Sequence, residues 1–148
     1  MKTVGVFLIF MGLIVGAVPL FTDCQAQGNA MTLANGRTIP MKCHWTALAE
    51  IAMAVPLLAV GGLMAFSRRR ETLRALSILG VLVGVFVVLL PTNLIGVCMG
   101  ADMLCNMVMK PTLVFSGALI TSASLVALMI LRREEAEVAA SEGMGQAT

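Results

Sequence analysis

Cys98-Met99-Gly100-Ala101-Asp102-Met103-Leu104-Cys105-Asn106-Met107-Val108-Met109-Lys110 is the stretch whose reading decides the fold. It separates two long apolar runs, Ala75 to Val97 and Pro111 to Leu131. Each run is long enough to cross a hydrocarbon core of ~30 Å at ~1.5 Å rise per residue. A link of this length, with Gly, Asp, Asn and Lys in it, turns the chain back between two spans. Working outward gives two more runs, Thr3 to Phe21 and Thr46 to Phe66, and a tail from Arg132 to Thr148. The fold expected is an all-α, four-helix transmembrane bundle forming one integral membrane domain over residues 1–148, with spans at 3–21, 46–66, 75–97 and 111–131.

Composition agrees. Residues are 59% hydrophobic and 12% charged, against about 25% charged in an ordinary soluble domain. One small core cannot bury that much apolar surface, and lipid is the natural solvent for the excess. The chain has no Walker-type GxxxxGK[ST] loop and no HExxH. A net charge of +2, divided between two sides, gives no case for nucleic acid. The partner expected from composition alone is the lipid bilayer.

The first run is read as a retained span. Lys2 and the Cys24-Gln25-Ala26 sequence loosely fit a signal peptide, but the run is longer than an ordinary h-region of about 7–15 residues. Between the first two spans lies the longest loop, polar, with a turn at Asn35-Gly36. Ser67 to Arg74 reads as a tight basic hairpin. Lys2, Arg68, Arg69, Arg70, Arg74, Arg132 and Arg133 share one side, and Arg37, Lys42 and Lys110 the other. The positive-inside rule then puts both termini in the cytoplasm of a multi-pass plasma (inner) membrane protein. It puts Cys24, Cys43, Cys98 and Cys105 outside. Gly12-x-x-x-Gly16 and Gly80-x-x-x-Gly84 are close-approach signals. They fit packing within the bundle, and self-association is the alternative.

Three groups of residues could carry chemistry. Four outward cysteines in an oxidising compartment favour disulfides, with three connectivities open. Met41, Cys43, His44, Met99, Met103, Met107 and Met109 mix thioether, thiolate and imidazole, a set that suits Cu(I). Met is also an adaptable apolar filler, and oxidised cysteines do not ligate. Trp45 reads as an interface anchor and His44 beside it as an interfacial residue. Glu50, Asn93 and Ser116 each lie about 6–8 Å below the outer surface by helical rise. A carboxyl inside a membrane helix usually faces a partner in the bundle interior. Glu50, Thr92, Asn93 and Ser116 are therefore expected to form a buried polar pocket beneath the Cys/Met/His cap; the alternative is that Glu50 is simply protonated or reaches the headgroups.

Met41-Lys42-Cys43-His44-Trp45-Thr46-Ala47, with Cys98-Met99-x-x-Asp102-Met103-x-Cys105 and Met109-Lys110-Pro111, resembles a family of small four-span prokaryotic membrane proteins of unknown function. The resemblance implies the four-helix fold and an accessory role beside transporter components, with no established activity. The architecture also resembles quinone-reducing, disulfide-forming membrane oxidoreductases, which carry two cysteines in each outer loop. This chain departs from them in having no CxxC, the arrangement that keeps attacking and resolving sulfurs together.

Three function classes follow. The first is a non-enzymatic accessory subunit with no cofactor, whose disulfide-shaped cap binds a transporter or another envelope protein. The second is a Cu(I)-handling protein using the Met/Cys/His cap. The third is a thiol–quinone oxidoreductase.

Overall fold

The computed structural model describes residues 2–23, 31–40, 42–97 and 104–145. Four helices follow in order: α1 (Lys2–Thr22), α2 (Lys42–Phe66), α3 (Arg70–Leu89) and α4 (Lys110–Gly145). α3 runs on into a π-helical turn at Leu90–Leu94, and a second π-helical turn at Cys105–Met109 leads into α4. All four helices are long and apolar enough to cross a membrane. Exposed apolar side chains such as Phe10, Val55, Phe86 and Phe115 occur on every one of them. In lipid the helix is a favoured element because it satisfies its own backbone N–H and C=O groups.

The chain runs as two tight helical hairpins packed on each other. In the first, α1 and α2 are antiparallel. A Cβ added at Gly5 would lie 2.7 Å from the Ala65 backbone nitrogen, and one at Gly16 would lie 3.2 Å from the Ala54 Cβ. In the second, α3 and α4 approach as closely. A Cβ at Gly84 would lie 2.5 Å from the Thr121 hydroxyl. The glycines of both GxxxG pairs are thus used inside the hairpins. Leu8, Val15, Leu57, Val60, Val87, Leu113 and Ile120 fill the shared core.

Several boundaries differ from expectation, for one physical reason: hydropathy marks where lipid begins, not where helix begins. α2 starts at Lys42, four residues before its apolar run, and α3 starts at Arg70. The basic hairpin expected over 67–74 is therefore only Ser67–Arg69 outside helix. α4 does not stop at Leu131. Its extension is rich in Ala, Glu and Arg, good helix formers, and is tied back by Arg70–Glu134 at 3.7 Å and Arg74–Glu135 at 3.4 Å. These half-exposed pairs are worth little individually.

The loop between α1 and α2 contains a small antiparallel ribbon, β1 (Met31–Thr32) on β2 (Thr38–Ile39), with Met31 opposite Ile39. Asn35-Gly36 makes the turn, with Gly36 at φ 78°. The Leu33 N–H donates to the Arg37 carbonyl at 2.9 Å.

Neighbouring glycines provide a sharp test of the packing. A Cβ at Gly61 meets the Gly5 carbonyl oxygen at 2.9 Å, backbone that cannot yield. Nothing lies within 4 Å of one at Gly62. Gly61→Ala is expected to lower stability by about 1–3 kcal/mol. Gly62→Ala is expected to be neutral or to stabilise by up to about 1 kcal/mol through helix propensity. Thermal unfolding in mild detergent reads both.

Candidate functional site: the cysteine-bearing end

The end of the bundle opposite Arg70 and Arg74 concentrates the polar structure. It contains the end of α1, the start of α2, the β1–β2 ribbon and both π-helical turns. π-helical turns are rare and occur often at functional sites. Here one carries Pro91, whose missing N–H removes a ladder donor, and the other begins at Cys105.

Two hydrogen bonds tie separate elements together. Asp23, just past α1, meets His44 in the first turn of α2, with Nδ1 to Oδ2 at 2.7 Å. A carboxylate can only accept, so Nδ1–H donates. The second tie is the Thr46 hydroxyl, which donates to the Gly96 carbonyl at 2.7 Å. Gly96 sits at φ 77°, a left-handed conformation that suits glycine. This bond joins the start of α2 to the end of α3, and so one helical hairpin to the other. Trp45 is exposed, with its ring edge-on to His44 at a centroid distance of 6.1 Å. The exposure suits an interface anchor.

Cys43 and Cys105 are both buried in the core cluster. Cys24 and Cys98 lie outside the described residues, as do Met41, Met99 and Met103. Of the remaining thioethers, Met107 is exposed and Met109 is fully buried, so the two face different surroundings. Among the described residues no group of three or more His, Cys, Asp or Glu side chains comes together as a metal site.

Glu50 is fully buried, and neither of its carboxyl oxygens has a hydrogen-bond partner among the described residues. Ser116 is buried too, with its hydroxyl donating to Leu113 of its own helix at 3.1 Å. The expectation that Thr92 and Asn93 are buried with them is corrected: both are exposed. The Thr92 hydroxyl donates to the Val88 carbonyl at 2.7 Å, and the Asn93 amide to the Thr92 hydroxyl at 3.4 Å. The reason is angular. The inward face of α3 carries Gly80, Gly84 and Val87, and the following turn continues it through Pro91. At about 100° per residue, Thr92 and Asn93 fall off that face although their depth is right.

Sequence reading missed Asp23. A signal was present: Asp23 precedes Cys24, and His44 follows Cys43. Closing the loop between α1 and α2 brings these outer neighbours together. If the Asp23–His44 bond holds the cap, Asp23→Asn and His44→Gln should each lower stability by about 1.5–3 kcal/mol, the range for a hydrogen bond to a charged group. The double variant should lose no more than the worse single one. Strict additivity in thermal unfolding would show that the two side chains act separately.

A family model described as a domain of unknown function, DUF4418, matches residues 4–130. No curated protein and no solved structure matches the chain. The matched span runs from the first turn of α1 to the last apolar turn of α4 and takes in both ties at the cysteine-bearing end, so the chain belongs to the DUF4418 family.

Proposed function

We propose that this protein is a non-enzymatic accessory subunit of the plasma (inner) membrane. Its cysteine-bearing cap faces outward and binds a partner, a transporter or another envelope protein. The termini are cytoplasmic, and Cys24, Cys43, Cys98 and Cys105 form disulfides that shape the cap.

The observation that carries this reading is the frame at that end. Asp23–His44 and Thr46–Gly96 fix the ends of α1, α2 and α3 against one another. In the loop from α1 to α2, the ribbon presents Leu33 and Ile39, exposed apolar side chains. They stand outside the membrane-spanning segments, so they suit contact with protein better than with acyl chains. The charge count supports the orientation, since Lys2, Arg68, Arg69, Arg132 and Arg133 gather at the opposite end. Disulfides would suit the same design by restraining the loops.

Alkylation of intact membranes tests the cap. With the membranes then opened in denaturant, so that the buried Cys43 and Cys105 are reached as well, all four cysteines are expected to resist a maleimide until reductant is added. A thiol reactive without reductant, or a mixed disulfide trapped by one Cys→Ser change, would contradict the reading and favour thiol exchange. A photo-crosslinker at Ile39 is expected to capture one protein species, and Ile39→Asp to abolish a crosslink made from Leu33. Capture of lipid alone would contradict a protein partner.

A further inference from the structure

Glu50 lies two turns into α2, on the same inward face as Thr46, Ala54 and Leu57. Its side chain has no accessible surface, and neither carboxyl oxygen has a hydrogen-bond partner among the described residues.

Among the described residues no ion pair reaches it. α1 carries Lys2 at the opposite end, and Asp23 just past α1 meets His44 through Oδ2 and has a buried Oδ1 without a partner among the described residues. The buried positions of α3 are apolar apart from Ser77, whose hydroxyl donates to Leu73. The Cys105–Met109 turn contributes Cys105, and α4 begins at Lys110, which makes no ion pair with Glu50. On α2 itself the other titratable groups are Lys42 and His44, both in its first turn.

An ionised carboxylate left without counter-charge, hydrogen bond or water inside a membrane costs several kcal/mol. The one ligand that removes this cost and needs no room is a proton. Along the inward face of α2, the next side chain is polar on one side of Glu50 only. Thr46, one turn toward the cysteine-bearing end, has a hydroxyl that both donates and accepts, and beyond it stands the partly exposed His44. In the other direction Ala54, Leu57 and Val60 continue the face without a polar group.

We propose that Glu50 is a proton-binding site loaded from the cysteine-bearing end through Thr46. Loading places a proton from the aqueous phase on a Glu50 carboxylate oxygen. Unloading returns it to the same face, with the Thr46 hydroxyl passing on one proton as it accepts another. No electrons move. The loaded form is the closed arrangement described above. The unloaded carboxylate requires a donor, which the Thr46 hydroxyl supplies by turning from the Gly96 carbonyl toward it, so proton occupancy and the Thr46–Gly96 bond are one equilibrium.

Infrared spectroscopy of the full chain in lipid tests this. A carbonyl stretch from a carboxylic acid without hydrogen bonds is expected, absent in Glu50→Gln. It should shift in D2O as the proton exchanges, with Thr46→Val slowing that exchange roughly ten-fold. Glu50→Leu should raise the thermal midpoint, because no partner is lost and a polar group leaves the core. The proposal is overturned if the band is missing, if Glu50→Gln leaves it in place, or if Thr46→Val leaves exchange unchanged or speeds it. A lower midpoint in Glu50→Leu would likewise overturn it, since that carboxyl would then be structurally paired.

Discussion

Lipid offers no hydrogen bonds, and this one constraint arranges the rest of the structure. Backbone groups within the bilayer must be satisfied inside each helix, so the apolar stretches of the chain become four spans. Association between spans then depends on close packing, because lipid tails solvate Leu as well as another helix does. Gly5, Gly61, Gly84 and Gly117 let backbones meet within each helical hairpin. Polar structure that this packing cannot absorb is pushed to the ends, arginines and glutamates to one, and Asp23, His44 and the π-helical turns to the other.

The two ends are built differently. At the arginine end, Arg70–Glu134 and Arg74–Glu135 are half-exposed ion pairs, easily exchanged for headgroups or salt. At the cysteine end, the ties are shorter and better buried, and each joins the terminus of one helix to another. An end held in this way keeps a surface in fixed shape, which suits recognition. Glu50 beneath it is a carboxyl buried in the core. A carboxyl retained there without a partner lowers stability, and such residues in membrane helices mark function by default.

Much of this was legible in the residues. Apolar runs bounded by charge gave four spans, and the Met41–Ala47 and Cys98–Lys110 motifs pointed to an uncharacterised family. Helix ends were less legible, because Lys42–Trp45 and Arg70–Arg74 are helical without being apolar. Asn93 shows a second limit: helical rise gives depth, but the angle about the axis decides burial. Asp23 shows a third. Its role depends on a contact across a twenty-one-residue separation, and no local pattern announces such a pairing until the loop is closed.

The central claim is that the tied, cysteine-bearing end faces outward while both termini stay inside. The most direct measurement is the sidedness of two tags on the full chain, one inserted at the Asn35-Gly36 turn and one after Thr148. The account predicts that an impermeant probe labels the turn tag on intact cells and reaches the terminal tag only after permeabilisation. The reverse pattern, or both tags on one side, would contradict it.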